Sequence, residues 1–369
     1  MASVKRRGTS WQATYRGPDG RERTKTFQRK VEAEGWVSDE QSALRHGSWI
    51  DPKAGKTTFG DFARSWQAAQ VHRPATAANI GSALRKHILP TFEARPIASI
   101  RPSEIQTWVR GISGKLSSSS VRVVVANVRA IFNAAVRDQV IARSPCVGVK
   151  LPAVDRSKVQ PLETAEVFAL VKAVPDRYQA LVIFAAGTGL RQGECFGLTL
   201  DRVDFLRRQV TVDRQLVLLA PRGRGPAFGP PKTQASYRVV PLPAVVLDAL
   251  AAHLAAYPVG TDGFLFTSDA GEPIRRTGFS NIWRPAVKAA GAPNGTGFHA
   301  LRHFYASLLI RHGESVKVVQ ARLGHASAAE TLDTYSHLWP DSEDQTRAAV
   351  DEVLSYPADI SRTSAASRA

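Results

Sequence analysis

The stretch from Phe298 to Tyr335 constrains the fold most strongly, because apolar runs at helical spacing alternate in it with glycine stops. It reads FHALRHFYASLLIRHGESVKVVQARLGHASAAETLDTY. The spacing predicts one helix that ends at Gly313 and a second over Val316–Leu323. Ser327 followed by Glu330 is a capping-box pattern that opens a third, short helix. A compact unit of three helices is therefore expected here.

This unit presents polar side chains suited to phosphate chemistry. His299 and Arg302 are three residues apart, so they share one helix face. His325 directly follows the second helix, and Tyr335 lies on the third. A phenol can act as a nucleophile, but with a pKa near ~10 it needs a base or nearby cations at neutral pH. Taken singly, such a histidine or tyrosine is more often structural, so the prediction of a functional site depends on the combination of these residues.

In order and spacing, these residues resemble the second conserved box of the tyrosine recombinases, the phage-integrase family. HALRH, then LGH, then a tyrosine ten residues on match the family pattern of H-x-x-R, G-H and Tyr. TGLRQGE resembles the family's first box and carries Arg191. KTQASYRVVPL resembles its catalytic hairpin and begins with Lys232. Glu194 is interpreted as orienting Arg191, with an ordinary first-turn carboxylate as the alternative.

The resemblance implies transesterification at a DNA phosphodiester, with no metal and no cofactor. Tyr335 would attack the phosphate, form a 3′-phosphotyrosyl link and release a 5′-hydroxyl. Arg191 and Arg302 would hold the phosphate oxygens, because guanidinium forks bind phosphate bidentately.

The remaining roles that the resemblance implies concern protons. Lys232 would protonate the leaving oxygen, His299 would assist proton transfer from the phenol, and His325 would donate to a phosphate oxygen. His303 is interpreted as structural, because its helix face is taken to differ from that of His299. His337 is given no role.

Length and resemblance together predict a multidomain fold. The predicted parts are a small α+β N-terminal arm-type DNA-binding domain (three-stranded sheet plus helix) with its linker over 1–57, an all-α core-binding (SAM-like) domain over 58–150, a mainly α catalytic domain with a small antiparallel β-sheet over 158–355, and a disordered tail over 356–369.

Composition narrows the setting of the protein. The 369 residues are 43% hydrophobic and 22% charged, which is ordinary for a soluble globular protein. No apolar run reaches the ~18 residues of a membrane span, and the basic start lacks the apolar stretch of a signal peptide. Cys146 and Cys195 are too few for a disulfide framework or a zinc site. We expect a cytoplasmic protein without a membrane partner.

Charge indicates a polyanionic partner. The formal net charge is +17, and residues 58–157 alone carry 14 basic and 5 acidic residues. Binding to such a partner should weaken steeply with salt.

Basic residues also stud the predicted N-terminal hairpin. Residues 10–16 alternate as a strand, a Pro-Asp-Gly turn follows, and residues 22–27 return as a second strand. The hairpin could be merely solvated, or could lie as a ribbon in a DNA major groove. The candidate DNA-binding residues are Arg16, Arg21, Arg23 and Lys25.

Residues 58–150 read as entirely helical. One predicted helix ends at Pro90, and another has Ser103 as its cap. The longest, SSSSVRVVVANVRAIFNAAVRDQVI, carries three arginines on a face that cannot all be buried. Arg122, Arg129 and Arg137 are therefore further DNA-binding candidates.

A phage or mobile-element integrase is the leading functional prediction. The resemblance implies double-stranded DNA attachment sites, a homo-tetramer on synapsed DNA, and possible help from a host DNA-bending factor and an excisionase. An inversion or resolution recombinase, a type IB topoisomerase and a noncatalytic DNA-binding protein are the alternatives. The last helix, predicted over residues 346–354, could dock on a neighbouring subunit or pack in cis.

Overall fold

The structure is a computed structural model that describes residues 2–154, 158–217, 228–339 and 343–354. The Pro-, Gly- and Arg-rich residues 220–231 predict a loop. Its residues 220–227 and the predicted tail over 356–369 lie outside the described residues. The chain divides near residue 156 into two compact units.

The first unit opens with a three-stranded antiparallel sheet in the order β1-β2-β3, covered on one face by a helix. The period-two pattern of the second strand buries Ala13 and Tyr15 against Ala33 and Val37 of the helix. The elements are β1 (Ser3–Arg7), β2 (Ser10–Arg16), β3 (Glu22–Phe27) and α1 (Lys30–Arg45).

The rest of this unit is helical, as predicted, but two details of the prediction are wrong. The helix does not end at Pro90, because a π-helical turn carries the chain to Phe92 and places Pro90 in a first turn, where its missing N–H costs little. Ser103 is not the cap, because the helix already begins at Pro102, and the residue before it, Arg101, donates its backbone N–H to Glu104 at 2.9 Å. The elements are α2 (Phe59–Ala69), α3 (Pro74–Ala83), the π turn (Leu84–Ile88), α4 (Leu89–Phe92), α5 (Pro102–Ser113) and α6 (Ser118–Arg137).

Helix α6 starts at a serine cap, since the Ser117 hydroxyl accepts the N–H of Ser120 at 3.3 Å. Among the described residues, it is the helix long and apolar enough to cross a membrane by length and composition. Its apolar face, from Val121 to Ala135, is buried in the helical core of the first unit. A buried core helix accounts for the same composition.

The second unit is mainly helical, with a small antiparallel sheet in the order β4-β5-β8 and a separate β6-β7 hairpin. The alternating pattern of residues 209–218 predicts one strand, but the structure has two strands in different sheets. They are interrupted at Asp213, whose carboxylate accepts from Arg202 at 2.8 Å. Leu218 is outside the described residues. The elements are α7 (Thr164–Ala173), α8 (Asp176–Thr188), α9 (Gln192–Phe196), β4 (Val203–Asp204), β5 (Gln209–Val212), β6 (Gln215–Leu216), β7 (Phe228–Gly229), β8 (Arg238–Pro241), α10 (Ala244–Ala256), α11 (Arg276–Ala289), α12 (Ala300–Arg311), α13 (Val316–Leu323), α14 (Ala328–Tyr335) and α15 (Glu343–Leu354).

Helix α8 lies at the centre of this unit. Leu181, Val182 and Phe184 are fully buried, and α7, α10 and α12 pack around them. Burying each such side chain contributes about 1.5–3 kcal/mol. The core therefore fixes the end of α8 against α12. The first box follows the end of α8, and the second box begins at the start of α12.

Candidate active site

Two left-handed glycines join the first and second boxes into one site. Gly189 ends α8 with φ +64°, and its carbonyl accepts from Nη1 of Arg302 at 2.8 Å. Gly324 ends α13 with φ +65°, and its carbonyl accepts from Nη2 of Arg191 at 3.0 Å. Each arginine is thus held by the helix end of the other box.

Only glycine suits these two positions. A Cβ on Gly189 would lie 2.4 Å from Cδ1 of Tyr305, and one on Gly324 would lie 3.0 Å from the carbonyl oxygen of Ala235. The positive φ is also unfavourable for other residues. The glycines that follow the helices are therefore needed for the conformation of the site as well as for stopping the helices.

A buried ion pair orients Arg191. Glu194 is 3% exposed; it accepts from the Arg191 side chain at 3.1 Å and from Nη2 of Arg238 at 2.9 Å. Burial alone would raise the pKa of Glu194, but the contacts with Arg238 and Arg191 outweigh it and lower that pKa. Arg238 was not predicted as a site residue, although it lies in the KTQASYRVVPL segment.

Arg302 is almost fully buried yet keeps its charge. Its second fork atom, Nη2, donates to the carbonyl of Leu323 at 2.7 Å. Burial, followed by the charges of Arg191 and Arg238, lowers the pKa of Arg302 to about 9. The guanidinium is therefore positive at pH 7, in a site with three arginines and one carboxylate.

Tyr335 is 1% exposed, and its hydroxyl lies 2.8 Å from Nδ1 of His303. Burial raises the pKa of Tyr335 to about 12, with a smaller opposing effect from Arg302. The phenol is thus protonated at neutral pH and is in hydrogen-bonding contact with a ring nitrogen of a histidine.

The expectation that the helix face of His303 differs from that of His299 is wrong. His299 and His303 are four residues apart and so share a helix face, and their rings meet edge to face with centroids 4.8 Å apart. Burial, followed by the charge of Arg302, lowers the pKa of His303. The i, i+4 spacing in HALRH was the sequence signal that could have identified this residue.

The other two predicted histidines border the same recess. His325 is buried, its Nδ1 is 2.8 Å from the Thr331 hydroxyl, and its ring lies parallel to that of Tyr335 with centroids 6.4 Å apart. His299 is exposed at the start of α12. Desolvation, with the neighbouring positive groups, lowers the pKa of each to about 4, so both are neutral at pH 7. His337 lies elsewhere, with Nε2 2.8 Å from the carbonyl of Val159.

Lys232 is exposed between β7 and β8. Within the described ranges, no hydrogen bond or ion pair joins it to the other predicted site residues. Four residues further on, the Ser236 hydroxyl accepts from Nη1 of Arg191 at 3.2 Å. The segment of Lys232 therefore reaches the site, and the role of the amine stays a prediction.

The basic residues of the N-terminal hairpin lie on different faces of the sheet. Arg23 and Lys25 pair with Tyr15 and Ala13, so they project to the helix-covered face. Arg23 is 3.0 Å from Asp51 and stacks 4.5 Å over the Trp49 ring, whereas Lys25 lies near aromatic rings of the same face.

The other two hairpin candidates are exposed, as is Lys25. Arg16 lies on the open face of the sheet with a 3.3 Å ion pair to Glu22. Arg21 is exposed, at 4.0 Å from Asp19. These two side chains therefore have more freedom to contact a ligand than Arg23.

Two of the three α6 candidates bind the chain's own backbone. Arg122 donates to the carbonyl of Pro152 at 3.1 Å, and Arg129 donates to that of Val149 at 3.2 Å. Arg137, in the last turn, is exposed. Arg122 and Arg129 thus also fasten residues 149–152 to the helical core.

Comparison with known proteins shows the family of the chain. Three family models match the chain: "Phage integrase family" over residues 160–341, "Phage integrase, N-terminal domain" over 5–46, and "Phage integrase, N-terminal SAM-like domain" over 58–113. A protein of Mycobacterium tuberculosis, named as the integrase of prophage phiRv2, is 31% identical over 340 residues, covering 89% of this chain and 88% of its own length.

Solved structures show the same fold. The Tn1549 transposon integrase in complex with a circular intermediate DNA has a TM-score of 0.67 at 22% identity, covering 80% of this chain and 99% of that one. A lambda integrase tetramer bound to a Holliday junction has a TM-score of 0.60 at 16% identity, covering 91% and 93%.

Fold and site together define a tyrosine recombinase, a class of enzyme that cuts and rejoins DNA strands. The chain belongs to the phage integrase family.

Proposed function

We propose that this enzyme integrates phage or mobile-element DNA by cutting and rejoining strands through a covalent 3′-phosphotyrosyl intermediate on Tyr335. The observation that carries the proposal is the position of this buried phenol beside a histidine, in a recess whose arginines are held by carbonyl groups. Net positive charge is what a phosphate and its more negative transition state need.

In this mechanism, Arg191 and Arg302 bind the non-bridging oxygens of the scissile phosphate. Both guanidiniums have fixed orientations before DNA arrives, and electrostatic stabilisation is strongest when no reorganisation is needed. Lys232 protonates the 5′-oxygen as it leaves, and His325 donates a hydrogen bond to a phosphate oxygen. The phosphotyrosyl bond conserves the phosphodiester energy, so no nucleotide cofactor and no metal take part.

The substrates and assembly are proposed by analogy with the relatives. Double-stranded attachment sites would be bound by the second unit and by the basic first unit, with Arg16, Arg21 and Arg137 the best placed of the candidates. Four subunits would act on two synapsed duplexes, as the lambda integrase tetramer is bound to a Holliday junction. A host DNA-bending factor and an excisionase would set the direction of the reaction.

The test uses a nicked suicide duplex made from the junction between the element that encodes this chain and its host DNA. We expect wild-type protein to form a covalent adduct in EDTA, and Tyr335→Phe to bind the duplex but form none. An adduct on Tyr335→Phe would show that another residue attacks. Loss of the wild-type adduct in EDTA would refute the metal-free mechanism.

A further inference from the structure

The second histidine of HALRH has no role in the mechanism above, although it contacts the proposed nucleophile. Nδ1 of His303 lies 2.8 Å from the Tyr335 hydroxyl, and the two rings meet edge to face with centroids 5.6 Å apart. Within the described ranges, this is the hydrogen bond that the hydroxyl makes. It joins α12 to α14.

The other histidines are less well placed to take the phenol proton. Nδ1 of His325 is engaged with the Thr331 hydroxyl at 2.8 Å, and its Nε2 lies 3.9 Å from Glu330. His299 packs edge to face on His303, and within the described ranges no hydrogen bond joins His299 to Tyr335. His303 is therefore the histidine in direct hydrogen-bonding contact with the phenol.

We propose that His303 is the base that removes the Tyr335 proton during strand cleavage and returns it during rejoining, a role that rests on the proposed function. The Oη–H bond breaks and its proton moves to Nδ1, while the phenol oxygen forms a bond to phosphorus. The bond from phosphorus to the 5′-oxygen breaks, and that oxygen takes a proton from Lys232. In rejoining, a 5′-hydroxyl gives its proton to the neutral Lys232 amine and its oxygen forms a bond to phosphorus. The bond from phosphorus to the tyrosine oxygen breaks, and that oxygen recovers its proton from His303.

The electrostatics of the recess fit this role. Burial and the charge of Arg302 lower the pKa of His303, which keeps its ring neutral at pH 7 and able to accept. With a pKa of about 12, only about one Tyr335 phenol in 10⁵ is ionised at pH 7. A base in contact with the hydroxyl can remove its proton as the bond to phosphorus forms, so the reaction does not depend on the rare ionised phenol. The titratable and charged groups facing His303 are His299, Arg302 and Tyr335, with His325 and Glu330 next to the tyrosine.

The test compares single-turnover cleavage of the suicide duplex by full-length variants. In His303→Asn an amide oxygen can replace Nδ1 as hydrogen-bond acceptor, but it cannot take a proton, whereas His303→Ala removes both functions. We expect both to cleave roughly 10²-fold or more slowly than wild type, the range for loss of a general base, with DNA affinity retained. His312→Asn is the matched control, because His312 directly follows the same helix and its side chain is exposed.

The pH dependence separates a base from a positioning residue. The wild-type rate should reach a plateau above the pKa of His303, while the His303→Asn rate should keep rising about tenfold per pH unit toward the phenol pKa. Free imidazole should partly rescue His303→Ala. A His303→Asn rate within roughly threefold of wild type, or a plateau unchanged by the substitution, would overturn the inference.

A measurement on wild-type protein keeps the inference testable if the variants misfold. With ¹⁵N-labelled histidine, NMR should show His303 protonated on Nε2 and unprotonated on Nδ1 at pH 7; a proton on Nδ1 would overturn the inference. Absence of any wild-type adduct would instead refute the proposed function, so the two failures are distinguishable.

Discussion

Replacing Glu194 by Gln should destabilise the catalytic recess, because Glu194 neutralises a buried cation. Arg238 has only 5% of its side chain exposed and lies 2.9 Å from the Glu194 carboxylate, which is itself 2% exposed as a side chain. Removing one partner of such a pair leaves the other charge buried without compensation, at a cost of about 3–5 kcal/mol. The amide retains part of the hydrogen bonding, so we expect the lower end of that range.

The assay is hydrogen–deuterium exchange of the full chain, read on peptides that contain α9 and β8. Since about 1.4 kcal/mol corresponds to a factor of ten, these amides should exchange roughly 10²-fold faster in Glu194→Gln. Glu163→Gln is the matched control, because Glu163 forms an exposed 3.4 Å pair with Arg311, and surface pairs contribute little. Adding Arg238→Met should restore part of the protection, since it removes the more deeply buried of the two arginines that share Glu194; Arg191, whose side chain is 22% exposed, still lacks its carboxylate. Equal exchange in the two glutamine variants would refute the reasoning.

The same pair predicts a pH dependence with a definite sign. The folded state lowers the pKa of Glu194 below its ordinary value of 4.5. Its contribution to stability is therefore complete above about pH 4.5 and is lost as the pH falls through the lower, folded-state pKa. The difference in protection between wild type and Glu194→Gln should narrow only below pH 4.5. A difference that narrows between pH 7 and 5 would contradict this assignment.

Three further predictions concern the glycines, the arginine fork and DNA binding. Gly324→Ala should lower the melting temperature and the cleavage rate more than Gly313→Ala. Both positions have positive φ, at a cost of about 1 kcal/mol, but a Cβ meets the Ala235 carbonyl oxygen only at Gly324. Equal effects of the two substitutions would argue against the steric contact. Arg302→Lys should lose most single-turnover cleavage while retaining affinity, since one ammonium cannot reach both carbonyls that the fork binds; near-normal cleavage would contradict this. DNA affinity, measured by fluorescence anisotropy, should fall linearly on a log–log plot against salt concentration; a salt-independent affinity would contradict an electrostatic interface.

The sequence predicted best what is encoded locally. The bounds of β2, β3 and α13 follow from period-two or helical apolar spacing and from the residues that end each run, and the structure has the same bounds. Pro90 shows the limit of local rules, because a π turn just before it lets the chain continue as a helix past the proline. The double role of Gly324, as helix stop and partner of Arg191, required the fold.

The site contacts that were missed join residues far apart in the chain. Arg238 meets Glu194 across 44 positions, and His303 meets Tyr335 across 32. Periodicity carries no information about which of several arginines reaches a given carboxylate. The hairpin shows a related limit. Strand pairing places Arg23 and Lys25 on the face that α1 covers, where Arg23 pairs with Asp51 while Lys25 stays exposed. Their role in DNA binding stays a prediction.

The way the arginines are held explains how a strongly positive recess can exist before DNA binds. If each guanidinium of the site were paired with its own carboxylate, the recess would be neutral and would offer little to a phosphate. Instead Arg302 is held by two backbone carbonyls, and Arg191 by the Gly324 carbonyl and a carboxylate that it shares with Arg238. Carbonyls at helix C-termini carry partial negative charge, which steadies a cation without cancelling it. The recess therefore keeps a positive charge that a phosphodiester can neutralise, and the energy of mutual repulsion among the arginines becomes a driving force for binding the phosphate.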